Sequence, residues 1–478
     1  FKNSKYKINI GFDPNLFNNL MLKKYFGNKC NLIPIKKNLI DSIQMAKNKN
    51  KKNYFYNLSH RVTGEKSSSK IKRLIKILNN KSIDNIFISA PENVAWLLNL
   101  RGNDNPNSPI PNCRAIINKN NKIFLFSDLL KVKKIMKFSI YNKISFKTDD
   151  QFFSVINNLN GKSFCIDKNS CSIFYQSLIN SKFKILSHED PCYELKSIKN
   201  KLEIKNMERT HISDGVALTK FLYWMKNHKL SNLKEIDVER KLETFRKKNK
   251  DYLYPSFNTI AGSGPNGAII HYRANKKTNR KINKNDLLLC DSGGQYKFGT
   301  TDVTRTICFK NQSKRIKDIF TRVLKGHIAV VTSNLNKINK GYALDEKARH
   351  WLKKINLDYG HGTGHGVGFF LNVHEGPQSI SKYNNVILKK GMIVSNEPGY
   401  YEENKFGIRI ENLIYIENKK NKLFFKNLTF APIDTDLVDY NLLNKNEKKY
   451  LSFYHLQTYL KISKYLNRKE KFWLQSLI

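Results

Sequence analysis

Residues 197–228 read SIKNKLEIKNMERTHISDGVALTKFLYWMKNH, and this long helical pattern predicts a helix that opens a new domain. A second helix is predicted over SSSKIKRLIKILNN, residues 67–80. The last residues, 441–478, also read as helical, with Tyr, Phe, Leu and Trp473 interspersed with lysines. Strand-like runs fall in two groups. NIFISA, AIINK, KIFLF and SFCID lie between residues 85 and 167 and alternate with helical stretches, which predicts an α/β layer. DLLLCDSGG (286–294), TTDVTRTICF (300–309), GMIVSNEPGYY (391–401) and FGIRIENLIYI (406–416) form the second group. The chain opens with strand-like KYKINIGFDPN, a helix-like stretch to Phe26 and then CNLIPIKKNLID.

Charged side chains interrupt the second group of strands. Asp291 closes an apolar run, and Asp302 follows eleven residues later, after the turn-like QYKFG, so a hairpin would bring the two together. Like charges a few ångström apart raise one another's pKa and destabilise the fold unless a cation lies between them. Glu397 and Glu411 repeat the pattern, Glu411 within a strand whose alternation calls for apolar residues. Between the pairs, HGTGHGVGFFLNVHEGP (361–377) carries three histidines among glycines that let backbone approach a ligand closely. Singly, each residue has an ordinary use: an aspartate caps a turn, Glu411 pairs with Arg409, His365 hydrogen-bonds in a core. Jointly, four carboxylates and His365 suit two divalent ions, and an imidazole in an oxygen-rich shell favours manganese, cobalt or zinc, manganese first.

The segments GPNGAIIHYRA (264–274), DSGGQY (291–296), TTDVTRT (300–306), HGTGHGVGFFLNVHEGP, NEPGYY (396–401) and FGIRIEN (406–412) resemble those of aminopeptidase P, the Xaa-Pro aminopeptidases of peptidase family M24. The resemblance extends through AWLLNLRGNDNPNSP (95–109) and LTFAPIDTDLVDYNLLN (428–444), and it fits the three-domain form best. It implies an α+β fold: a pita-bread catalytic domain, with helices flanking a curved antiparallel sheet, preceded by creatinase-like α/β domains. Residues 1–66, which begin without Met, resemble the end of a first domain whose earlier part is missing. Residues 67–193 would be the second domain, 194–440 the catalytic domain, and 441–478 a helical extension that in the family helps form a dimer.

The same resemblance assigns roles. Asp302 and Glu411 would bridge two metals, with Asp291 on one and His365 and Glu397 on the other. A metal-bridging water or hydroxide would attack the peptide bond, and Glu397 would shuttle the proton. His271 and His374 match pocket positions that stabilise charge on the scissile carbonyl oxygen. His361 matches a histidine near the proline ring, Arg409 a buried arginine that orients site carboxylates, and Tyr401 a substrate contact. For Arg101, in PENVAWLLNLRG, two readings stand side by side: reach towards the site, or packing at the surface. An imide nitrogen has no N–H to donate, so proline must be read by packing, for which His361, His374, Phe369 and Phe370 are the candidate surface. The implied activity is release of an N-terminal residue from Xaa-Pro peptides. Alternatives are a dipeptidase of the prolidase type, a metal-free creatinase-type hydrolase and a non-enzymatic binding module, the last two disfavoured by the full ligand set.

Composition narrows what remains. With 478 residues, 40% of them hydrophobic and 12% aromatic, the chain can bury sizeable cores. No apolar run approaches 18 residues and no signal core follows a basic start, so a cytoplasmic protein without a membrane span is expected. Seven cysteines lack the paired spacing of zinc or redox motifs and read as reduced packing residues. A net charge of +46 ordinarily suggests nucleic acid. However, residues 286–416 hold 19 Lys plus Arg against 12 Asp plus Glu, so only +7 lies around the candidate chemistry. Runs such as KNKNKKN (47–53) and NKKTNRKINKN (275–285) point to compositional bias on solvated faces, and no specific nucleic-acid partner is expected.

Overall fold

The computed structural model describes residues 7–27, 30–35, 37–43 and 53–478. Residues 47–52, most of the KNKNKKN run, lie outside the described residues, as do the first residues of KYKINIGFDPN. The chain divides into two compact units. One holds described residues up to Asn105 together with Pro109–Leu195; the other holds Pro106–Ser108 and Lys196–Ile478.

The first unit is built on a mixed six-stranded sheet of β1 (Asn85–Ile88), β2 (Arg114–Asn118), β3 (Ile123–Phe126), β4 (Ile144–Lys147), β5 (Ser163–Ile166) and β6 (Lys184–Ser187). Its order is β6-β5-β1-β2-β3-β4. The expected alternation with helices is present, and so is helix α1, Ser67–Asn80. The register is partly antiparallel, because β2 pairs with both β1 and β3 that way. Phe87, Ile116, Phe126, Phe152, Phe164 and Tyr175 form its core. A parallel pair, Ile8–Phe12 with Cys30–Pro34, holds two of the apolar runs near the start of the chain.

The second unit opens on α2, Lys201–Asn227, four residues later than the apolar pattern suggests. The reason is a cap. The Asn200 side chain accepts hydrogen bonds from the Leu202 and Glu203 amides, and the Asn200 amide donates to the Glu203 carboxylate. The preceding residues are extended: Ile198 bridges Met392, and the Lys199 amide donates to Gly391 O at 3.0 Å.

Two antiparallel sheets carry the candidate chemistry. One consists of β7 (Ile260–Ser263), β8 (Leu288–Ser292) and β9 (Val303–Ile307), in that order. The other contains β10 (Gly364–Gly366), β11 (Glu375–Ile380), β12 (Ile393–Asn396), β15 (Asn412–Lys419) and β16 (Lys422–Asn427), in the order β11-β10-β12-β15-β16. A hairpin of β13 (Gly399–Glu402) and β14 (Phe406–Arg409) lies between β12 and β15 in the chain. Helices α3 (Glu235–Arg246), α4 (Lys314–Val331), α5 (Gly341–Lys353), α6 (Lys445–Ile462) and α7 (Arg468–Gln475) belong to the same unit.

Apolar packing fixes these strands from behind. Phe320, Val323 and Leu324 of α4 share a core with Ile408 and Ile410, and Leu451 and Tyr454 of α6 enter the same core. The expected helical tail is thus packed onto the unit rather than appended to it. Buried Asp214 of α2 and Arg246 of α3 pair at 2.7 Å, and Tyr296 OH donates to the same carboxylate. Arg246 also reaches Gly293 O, which braces the β8–β9 connection. No helix among the described residues is long and apolar enough to cross a membrane.

Candidate metal centre and its cavity

The β8–β9 register places Asp291 opposite Thr304, two residues beyond Asp302. Side chains alternate across strands, so Asp302 and Thr304 face the same side, and the expected meeting of the two aspartates occurs. Single ligand oxygens of Asp291, Asp302 and Glu411 lie within 4.8 Å of one another. Those of Glu397 and Glu411 make a second such group with the His365 ring. His365 Nε2 is 3.4 Å from Asp302 Oδ2 and 3.6 Å from Glu397 Oε1. All five residues proposed from sequence as ligands therefore meet in one cluster, at the base of a cavity of about 790 Å³.

Electrostatics states the strain of this cluster. Burial, then Asp291 and Glu397, raises the Asp302 pKa well above the usual range. Burial, then Asp302, Glu397 and Asp291, does the same to Glu411. Glu397 is raised as well, chiefly by burial, with Asp291 adding to it. Asp291 Oδ1 is buried with no hydrogen-bond donor. Crowded oxygens, one of them orphaned, beside an imidazole form the donor set of hard or borderline divalent cations, and the residues fit two such ions.

The remaining groups hold those oxygens in place. Arg409 Nη2 donates to Asp291 Oδ2 at 2.6 Å, its Nη1 to Tyr401 OH at 2.5 Å, and its Nε to Thr304 Oγ1 at 3.1 Å. Thr304 Oγ1 in turn donates a hydrogen bond to Glu411 Oε2 at 2.8 Å. Ser395 Oγ accepts from the His365 amide at 2.9 Å and donates to Glu397 Oε1 at 3.1 Å. The roles of Thr304 and Ser395 were missed in the sequence. Thr304 had a signal, two residues from Asp302 on the same strand face; Ser395 stands two before Glu397 in the same way.

Around this floor stand the histidines. His271, His361, His365 and His374 all line the cavity. The His374 ring centroid is 4.0 Å from that of His365. Burial, His365 and His271 pull the His374 pKa down to about 4, and burial with Arg409 does the same for His361. Both rings are neutral at pH 7. His361 Nε2 lies 2.9 Å from Tyr401 OH. Tyr401 sits behind the cavity lining, between His361 and Arg409, so it supports lining residues rather than forming the wall.

One expectation changes here. Phe369 and Phe370 are buried and do not line the cavity; Phe257, Ile260, Ile270, Val373 and Pro377 supply its apolar surface. The glycine-rich segment has no strand or helix period, so its sequence carried no information about which side chains turn outward. Arg101 lies in the first unit, its guanidinium on Ala95 O and Leu100 O.

Comparison with known proteins agrees with this geometry. Residues 205–418 match metallopeptidase family M24, residues 46–203 the creatinase/prolidase N-terminal domain, and residues 421–477 the C-terminal region of peptidase M24. A probable Xaa-Pro aminopeptidase P of Phaeosphaeria nodorum is 38% identical over 84% of this chain and 66% of its own length. One of Talaromyces marneffei is 36% identical over 96% and 74%. Aminopeptidase P2 of Arabidopsis thaliana is 39% identical over 83% and 62%. The chain thus spans about two thirds of the length of such relatives. An X-prolyl aminopeptidase from Caenorhabditis elegans, described as a cytosolic enzyme with a di-nuclear active site, superposes with a TM-score of 0.92 at 30% identity. It covers 100% of this chain and 81% of the other. The prolidase of Pyrococcus furiosus covers 74% of the chain with a TM-score of 0.60 at 26% identity. The pita-bread architecture and the creatinase-type N-terminal unit are those anticipated from the motifs.

Proposed function

The chain belongs to metallopeptidase family M24, in its aminopeptidase P branch, and from that premise we propose that it releases the N-terminal residue from peptides with proline in second position. The observation that carries this reading is the meeting of Asp291, Asp302, His365, Glu397 and Glu411 at the floor of a cavity walled by three further histidines. These five residues would hold two divalent ions, manganese by preference. The ions supply Lewis acidity that polarises the scissile carbonyl and makes water nucleophilic at neutral pH.

The chain's own groups do the rest. Glu397 takes a proton from the attacking water on a carboxylate oxygen and hands it to the leaving imide nitrogen, a relay of about 10²–10⁴-fold. His374 and His271, at the cavity wall, donate ring N–H groups to the carbonyl oxygen as negative charge develops there, and neutrality lets His374 act as a donor without repelling the ions. His361, held by Tyr401, faces the proline ring, and the apolar wall from Phe257 to Pro377 packs it. Arg409 fixes Asp291 and, through Thr304, Glu411.

Two arms test the proposal. Metal-loaded protein is expected to bind two ions per chain and cleave Arg-Pro-Pro far faster than Arg-Ala-Ala, with Asp302→Asn losing both metal and turnover. Equal rates on the two peptides would remove proline selectivity; unchanged metal and rate in Asp302→Asn would remove the site. A dipeptidase of the prolidase type would refuse the tripeptide. We also propose a cytoplasmic homodimer formed through the C-terminal helices, whose exposed Phe453, Leu460 and Phe472 offer an apolar face.

A further inference from the structure

We propose that Glu375, seated between Lys196 and Lys199, is a positioning residue that sets where the His374 ring stands beside the metal cluster; this rests on the peptidase reading above. His374 lines the cavity and stands one residue before β11, at the end of a loop running from Gly366. The loop closes on itself: Gly366 pairs with Glu375, and the Gly368 amide donates to Asn372 O at 3.0 Å. Inside it lies the Glu375 carboxylate, so close that a Cβ on Gly368 would stand 3.2 Å from Oε2.

That carboxylate has cations on two sides. Lys199 Nζ donates to Oε1, and Lys196 Nζ is 3.5 Å from Oε2, with all three side chains at most 2% exposed. Burial fixes such charges in one arrangement, since any displacement leaves one uncompensated. The lysines are themselves anchored. Their segment bonds Gly391 and bridges Met392, which lead directly into β12 and on to Glu397. The lysine–glutamate–lysine clamp therefore ties the loop that presents His374 to the strand that presents Glu397. Apolar packing would also bury this loop, but it would not set a direction. A ring 4.0 Å from His365 needs one, because a misplacement of about 1 Å in such a site costs about 10²-fold in rate.

The test uses the metal-loaded chain as wild type, Glu375→Gln, Lys196→Met, His374→Ala and the Glu375→Gln/His374→Ala double variant. Metal content, kcat and KM on an Xaa-Pro tripeptide, and the rate of His374 modification by diethylpyrocarbonate are read for each. Glu375→Gln is expected to keep two metals and a KM within about 2-fold, lower kcat about 10–100-fold, and speed His374 modification. In the His374→Ala background the same change should cost less than about 2-fold, because the two act as one unit. Lys196→Met, removing the longer contact, should show the same pattern more weakly, and it serves where Glu375→Gln does not fold. Unchanged kcat, loss of metal, or an undiminished loss in the His374→Ala background would overturn the clamp. A wild type that cleaves no Xaa-Pro peptide would overturn the peptidase reading instead, and the modification rate, which needs no turnover, would still decide the clamp.

Discussion

At the scale of single residues, the floor of the cavity was legible because carboxylates in apolar strands are expensive. Asp291 announces itself in an apolar run, Asp302 across a turn from it, and Glu411 where alternation calls for an apolar residue, and the structure meets the cost by grouping them. That cost gives a prediction with a change of sign. In metal-free protein Asp302→Asn removes a like charge from a buried cluster, and we expect its melting temperature to rise by about 2–4 °C, the shift that ~1 kcal/mol makes in a large domain. With manganese present the order reverses, since wild type gains binding energy that the variant has lost. Calorimetry with and without chelator reads both; a variant less stable in both states would contradict the charge account. Thr304 makes a second case. Thr304→Val removes the donor to Glu411 and the acceptor for Arg409 while keeping shape, so metal affinity should fall about 10–100-fold with little change in metal-free stability. Metal titration of the chelated protein measures this.

At the scale of elements, periodicity located the strands and the long helix, and it failed where tertiary bonds override it. The pattern from Ser197 is continuous with α2, yet Ile198 and Lys199 are not helical, because Asn200 caps the helix and Gly391 takes the Lys199 amide. Glu375 and Lys199 are 176 residues apart, a separation across which no local pattern speaks. The turn between Gly366 and Glu375 misled for the related reason that an irregular loop has no face. The pairing of α2 with α3 supports a prediction at this level. Asp214 and Arg246 are both buried, and the arginine braces Gly293 beside Asp291 of β8. Asp214→Asn leaves an uncompensated guanidinium and should cost about 3–5 kcal/mol, whereas replacing both partners by Leu and Met should cost much less. Urea unfolding of the two variants decides it; equal losses would show that shape rather than charge holds the helices.

At the scale of the whole molecule, acid should unfold the metal-loaded chain by a route visible in its histidines. Burial holds His327 down to about 3 and His455 to about 4. Each is neutral in the fold, while its unfolded counterpart protonates below about 6.5. Their contribution is therefore complete above that pH and is lost as pH falls towards 4. Asp302 and Glu411, raised in the absence of ions, run the other way, favouring the metal-free fold at low pH and withdrawing as pH rises. Metal-loaded protein should melt markedly lower at pH 5 than at pH 7.5, and His455→Gln should flatten that slope. An unchanged slope would place the acid sensitivity elsewhere.

The C-terminal helices belong to this scale as well, and their packing changes how association must be tested. Leu451 and Tyr454 lie in the core shared with α4, and Tyr454 OH donates to Ala431 O at 2.7 Å while accepting from Arg305, which holds the Glu411 carbonyl. Cutting the chain at Tyr440 would open that core and loosen the segment that carries Glu411, so loss of a dimer on truncation would say nothing about an interface. Surface changes separate the two. Leu460 and Phe472 are 67% and 76% exposed and face no core, so Leu460→Asp with Phe472→Asp should leave folding and cleavage intact. Light scattering is expected to give a dimer for wild type and a monomer for this variant, because a charge at the centre of an apolar interface loses more than the contact it replaces. A variant that remains dimeric would move the interface away from these helices, and a monomeric wild type would leave their apolar face without the role proposed for it.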